Sequence, residues 1–141
     1  MSTILAFDFG TSHIGVASGS AFTQTASPRQ ALKARDGIPD EQSLNKLMQE
    51  WKPAKCVVGL PLNADGTEQE MTKRAKRFGN RLAEKFKVKV EFVDERYTSV
   101  AAKERIFSQG GFRALASDKG RIDSESACEI LEQYFAEHDG K

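Results

Sequence analysis

An aspartate stands inside the first apolar run of the chain, Ile4-Leu5-Ala6-Phe7-Asp8-Phe9-Gly10. Burying a lone carboxylate in a central strand is costly unless a cation pairs with it. The chain continues Thr11-Ser12-His13-Ile14-Gly15-Val16-Ala17. That order predicts a strand carrying a metal-binding aspartate, a turn at Gly10-Thr11, and an antiparallel return. The structural alternative is an Asp that caps the turn between Gly10 and Ser12.

The apolar pattern then changes period along the chain. Ile4 to Phe9 and Ile14 to Ser18 read as two antiparallel strands. A third strand is expected around Phe22 to Leu32, with Pro28 weakening it, and a turn region over Lys33 to Pro39. From Asp40, Leu44, Leu47, Met48 and Trp51 recur at helical spacing, with Asp40 as N-cap and Pro53 beyond the end. Cys56-Val57-Val58-Gly59-Leu60 is a short, wholly apolar run, which suits a buried parallel strand. Met71, Ala75, Phe78, Leu82 and Phe86 form the stripe of a long helix. Val88 to Val93 is the next strand, ending at Asp94-Glu95-Arg96. Thr98 or Ser99 caps a helix to about Phe107, closed by Gly110-Gly111. A last helix is expected from near Asp123, burying Ala127, Ile130, Leu131, Tyr134 and Phe135. The expected fold is therefore α/β, with crossovers to parallel strands in the second half.

Length and composition narrow the function classes. The chain has 141 residues, which suits one domain spanning 1–141. With no apolar run of about 18 residues and no basic lead before the first strand, neither a membrane span nor a signal peptide is expected. Cys56 and Cys128 lie in apolar stretches without ligand spacing. They read as buried free thiols of a cytoplasmic protein rather than a zinc site. Net charge is only +1, but its distribution is uneven. Lys73, Arg74, Lys76, Arg77, Arg81, Lys85 and Lys87 face only Glu84 over 73–87. Such a basic surface suits a nucleic-acid backbone, and a solvated helix face reads the same way.

Three more acids stand out beside Asp8. Asp94 and Glu95 end a strand, so they point to opposite faces if the strand stays regular. Asp123 precedes Ala127 by four residues and Ile130 by seven, which places it on the packed helix face or makes it an N-cap. Glu125 lies off that face and reads as solvated. Carboxylates brought from strands and a helix to one point hold Mg²⁺ or Mn²⁺ with hard oxygen ligands. Gly59-Leu60-Pro61-Leu62-Asn63 through Gly66-Thr67 can offer backbone N–H groups to a phosphate.

These motifs in this order resemble the YqgF/RuvX family over nearly the whole chain. They are Asp8-Phe9-Gly10-Thr11 with Ile14-Gly15-Val16-Ala17, Val58-Gly59-Leu60-Pro61-Leu62-Asn63 with Gly66-Thr67, Asp94-Glu95-Arg96-Tyr97-Thr98, and Lys119-Gly120 with Asp123 and Ala127. The resemblance implies an RNase H-like fold: a mixed five-stranded sheet, three antiparallel strands then parallel ones, flanked by helices. It implies a Mg²⁺- or Mn²⁺-dependent nuclease processing the 5′ end of pre-16S rRNA, or a Holliday junction resolvase acting on branched DNA. Catalytic and metal-binding carboxylates are implied at Asp8, Glu95 and Asp123, with Asp94 in support. Lys73, Arg74, Arg77, Arg81, Arg113 and Arg121 are expected to hold nucleic-acid backbone, and Gly10, Thr11, Asn63, Gly66 and Thr67 to form a phosphate loop.

The chain departs from the family pattern in two places. Ser12-His13 stands where a basic residue is common before Ile14-Gly15, and the Cys56–Leu60 strand ends without an acid. The second departure favours an alternative, a nucleic-acid-binding module without robust catalysis. A sugar-kinase or actin-like ATPase shares Asp-x-Gly-Thr, but it needs two domains closing on ATP.

Overall fold

The computed structural model describes residues 3–20, 22–23, 25–63, 65–94 and 119–138, with side chains in the last stretch over 124–136. The strands are β1 (Thr3–Asp8), β2 (His13–Ser20), β3 (Thr25–Arg35), β4 (Ile38–Pro39), β5 (Lys55–Leu60) and β6 (Lys89–Asp94). The helices are α1 (Glu41–Trp51), α2 (Glu70–Phe86) and α3 (Lys119–His138). One sheet has the order β4-β3-β2-β1-β5-β6. β1 to β4 run antiparallel in sequence, and β5 and β6 run parallel to β1.

The sheet has six strands, where five were expected. The addition is the two-residue β4, inside the stretch expected to be a turn region. Asp36 (φ 51°) and Gly37 (φ 82°) fold it back on β3. Two positive φ values in a two-residue link are the geometry that hairpins favour, and Asp-Gly supplies it. β3 runs through Pro28, which pairs with Ala17 of β2. β4 reaches only Ala34 and Arg35, so Pro28 sits where β3 is an edge and an N–H is dispensable.

Two cores lie on the two faces of the sheet. Leu5, Phe7, Ile14, Val16 and Val58 pack with Leu44 and Met48 of α1 and Ala75, Phe78 and Leu82 of α2. Ile4, Ala6, Ala17, Val57 and Val93 pack with Ala127, Cys128, Ile130, Leu131, Tyr134 and Phe135 of α3. The expected α3 stripe is thus buried as read.

Local chemistry fixes the helices. The Asp40 carboxylate accepts the Ser43 N–H at 3.0 Å and so caps α1. Thr72, fully buried, accepts the Gln69 N–H and donates to the Pro61 carbonyl at 2.6 Å, tying the start of α2 to the end of β5. Gly79 lets α2 sit close on β6, since a Cβ there would lie 2.6 Å from the Phe92 ring. α3 starts at Lys119 rather than near Asp123, so Asp123 lies within the helix and is not its N-cap. No helix among the described residues is long and apolar enough to cross a membrane. The helix expected from Thr98 or Ser99 to Phe107 lies outside the described residues.

Candidate active site

Strand alternation decides which carboxylates can meet. In β1, Leu5 and Phe7 face α1 and α2, whereas Ile4 and Ala6 face α3. Asp8 continues the second series, so it belongs to the α3 face. It ends β1, is half-buried, and pairs in register with Gly15 of β2. The turn after it is tight. A Cβ on Gly10 would lie 2.4 Å from the His13 carbonyl oxygen, so the link needs glycine there. The carbonyls of Thr11 and Ser12 accept the N–H groups of Gly37 and Ala34, each at 2.9 Å, which ties this turn to the β3–β4 hairpin.

The same alternation separates the acids of β6. Val90 and Phe92 join the α1/α2 core, while Val93 joins the α3 core. Asp94 follows Val90 and Phe92 in period two, on the face opposite to Asp8. Its backbone carbonyl accepts Gln133 Nε2 at 2.9 Å. β5 lies between β1 and β6 and ends at Leu60, which pairs with Asp94 and brings no acid. β6 is therefore two strand spacings, about 10 Å, from β1. Glu95 lies outside the described residues.

α3 is pinned beside Asp8 by its own polar contact. The pairing of β2 with β3 steps from Ile14↔Leu32 to Val16↔Arg29, so β3 carries an extra residue there. Ser124 fills the gap in the ladder. Its Oγ accepts the Val16 N–H at 3.3 Å and donates to the Arg29 carbonyl at 2.6 Å. Asp123 is the preceding residue of α3, and Val16 follows Gly15, the partner of Asp8. The helix turn bearing Asp123 is thereby docked at the carboxyl end of β1, although the Asp123 side chain lies outside the described set. Glu125, expected to be solvated, is buried at 5% exposure. All of 124–128 is buried, so at this point α3 is covered around more of its circumference than the apolar stripe alone indicates.

The remaining expected residues divide sharply. In α2, Arg74 pairs with Asp36 at 3.2 Å and Glu70 at 3.8 Å. Lys73 is exposed. Arg77 and Arg81 are exposed too, one helical turn apart, and among the described residues neither has a carboxylate within 4.0 Å. Arg113 and the Arg121 side chain lie outside the described set. In the expected phosphate loop, the Asn63 and Gly66 N–H groups donate to Thr67 and Asn63 carbonyls, and the Thr67 N–H donates to Asp65 Oδ1. Those donors close the loop on itself in this structure. Burial pushes the Cys56 thiol up to about 12, which makes it an inert packing group.

Comparison with known proteins gives a consistent result. A family model described as "RuvX: Holliday junction resolvase" matches residues 2–137. A protein of Actinobacillus succinogenes, named as a proposed pre-16S rRNA nuclease, is 55% identical over 136 residues, covering 96% of each chain. A Shewanella oneidensis protein of the same name is 54% identical over 138 residues, covering 98% of this chain and 96% of its own. Among solved structures, the fowlpox virus resolvase with Holliday junction DNA aligns at TM-score 0.62 and 12% identity, over 97% of this chain and 99% of that one. The RuvC of T. thermophilus with a Holliday junction substrate aligns at TM-score 0.57 and 12% identity, over 99% and 97%. The fold is RNase H-like, as these resolvases are.

Proposed function

The chain belongs to the RuvX Holliday junction resolvase family, and from that membership we propose that it is a metal-dependent endonuclease acting on the 5′ end of precursor 16S rRNA in the cytoplasm. The observation that carries the proposal is Asp8: a half-buried acid at the carboxyl end of the central strand, on the sheet face covered by α3. Relatives about as long as this chain and more than half identical to it bear the rRNA nuclease name.

Asp8, Glu95 and Asp123 are the proposed ligands, and their hard carboxylate oxygens suit Mg²⁺ or Mn²⁺. Among the described residues no three His, Cys, Asp or Glu side chains form a metal set. The proposal therefore depends on Glu95 and on the Asp123 carboxylate beside Asp8. Period-two continuation from Glu91 and Val93 supports Glu95 over Asp94 for the face that Asp8 shares. Ser124 holds α3 in place, and the Asp94 backbone carbonyl, accepting Gln133 Nε2 at 2.9 Å, ties the end of β6 to α3. Ions bound there would supply an activated water and stabilise the leaving oxygen. Arg77 and Arg81, together with Lys73, Arg74, Arg113 and Arg121, would hold the phosphate backbone.

A second reading, cleavage of branched DNA, is favoured by the likeness of the fold to resolvases. Side-by-side assays of a pre-16S rRNA leader and a four-way DNA junction, with Mg²⁺ or Mn²⁺, separate the two. Discrete cuts in the leader and an intact junction are expected. Cutting of the junction alone would transfer the assignment to DNA, and binding without cutting of either would leave a recognition module.

A further inference from the structure

We propose that the cleft between α2 and the β3–β4 hairpin is a base-binding subsite, which takes one unstacked nucleobase of a single-stranded segment of the substrate. The cleft has a volume of about 360 Å³, within the ~300–1,000 Å³ of small-ligand sites. Its floor is aromatic and aliphatic, with Phe9, Phe78 and Phe86 among the lining residues. Ile38 stands at the lip with 60% of its surface exposed. Phe9 and Phe78 are nearly buried, so the half-buried Phe86 and the exposed Ile38 offer most of the apolar surface, which any base can use without sequence selection.

The charge around the cleft points to nucleic acid rather than to a purely apolar occupant. Four cations line it against two carboxylates, Asp36 and Glu41. Those carboxylates are engaged by Arg74 and Lys85, each at 3.2 Å. Arg77 and Arg81 remain between the two ion pairs, exposed and without a carboxylate partner among the described residues. They are about 6 Å apart along the helix axis, a distance that one nucleotide bridges from phosphate to phosphate. Guanidinium groups also stack on bases and bind phosphates in the same pose.

The cleft adjoins the candidate active site. Phe9 lines it and directly follows Asp8, so their Cα atoms are about 3.8 Å apart. Asp8 belongs to the α3 face and Phe9 packs in the α1/α2 core. A strand crossing the carboxyl edge of β1 would thus place a phosphate at Asp8 and a base in the cleft a short step away. The subsite rests on the nuclease reading above, because it assumes that a nucleic-acid strand lies across this edge.

The test is photocrosslinking of the full chain to a single-stranded RNA oligonucleotide that carries 4-thiouridine, with the adducts mapped by mass spectrometry. Adducts on the peptides containing Phe9, Phe78 or Phe86 are expected. Ile38→Glu, which puts a carboxylate at the lip, should remove them and weaken single-strand affinity about tenfold, with duplex affinity unchanged. Adducts elsewhere on a bound oligonucleotide would overturn the subsite, and Asp8-dependent cleavage would still stand. A change in solution mass for Ile38→Glu at unaltered RNA affinity would overturn it in favour of a second copy of the chain. No binding of any RNA by the wild type would overturn the subsite together with the nuclease reading.

Discussion

Ser124 donates its hydroxyl proton to the carbonyl of Arg29 at 2.6 Å, and so one side chain of α3 closes the gap that a bulge leaves between β2 and β3. The contact is buried and also satisfies the Val16 N–H. It fixes the helix turn that carries Asp123 against the strand that pairs with Asp8.

Ser124→Ala should lower stability by about 1–3 kcal/mol, since it strands the buried Val16 N–H and the part-buried Arg29 carbonyl. It should also lower cleavage by roughly tenfold to a hundredfold through misplacement of the Asp123 turn. Urea unfolding checks the first, and kcat on a cleaved RNA checks the second. A stability loss with unaltered kcat would reduce Ser124 to a packing role.

Lys55, Glu91 and Tyr134 join β5, β6 and α3 at the other end of the sheet. Lys55 Nζ lies 2.6 Å from Glu91 Oε2, and Tyr134 donates to the same oxygen at 2.9 Å. The hydrogen bond from Lys55 holds the Glu91 carboxyl below its usual range, and the same bond raises Lys55. Glu91 therefore contributes stability that is fully present above about pH 4.3, the unfolded value. That contribution is lost as pH falls through the lower folded value. Lys55 contributes below about pH 10.4, and its share is lost as pH rises through the folded value. Unfolding measured against pH should show both limbs, and Glu91→Gln should flatten them. An unchanged profile in that variant would show that other groups set it. Both side chains are about a quarter exposed, so solvent screening keeps the effect modest.

Arg77→Ala with Arg81→Ala should weaken RNA binding and reduce the log–log salt slope by about 0.7 for each lost contact with a single strand. Arg74→Ala should change the slope less, because its guanidinium already pairs with Asp36 and Glu70. Equal slopes in wild type and double variant would return this helix face to ordinary solvation.

Much of this architecture is legible in residue order, and the gaps have physical causes. The β1–β2 hairpin, the buried β5 and the α2 and α3 stripes follow from period alone. The two-residue β4 is hidden in the sequence, although Asp36-Gly37 is a strong local hairpin signal, because Lys33–Pro39 is polar and Pro39 suggests irregular chain. The burial of Glu125 is invisible to a stripe of apolar residues, since polar Ser124, Glu125 and Ser126 are buried in α3 as well. The face of Asp8 was readable from alternation with Ile4 and Ala6. The partition of the α2 cations was not, because Asp36 and Glu41 are distant in sequence from Arg74 and Lys85.

The central claim is that Asp8 serves catalysis rather than capping a turn. The direct measurement is cleavage of the pre-16S rRNA leader by Asp8→Asn beside wild type in Mg²⁺, with folding checked by circular dichroism. The account predicts a folded variant that binds the leader and leaves it uncut, and a wild type that excess chelator silences. Wild-type cleavage by Asp8→Asn, or full cleavage in chelator, would contradict it.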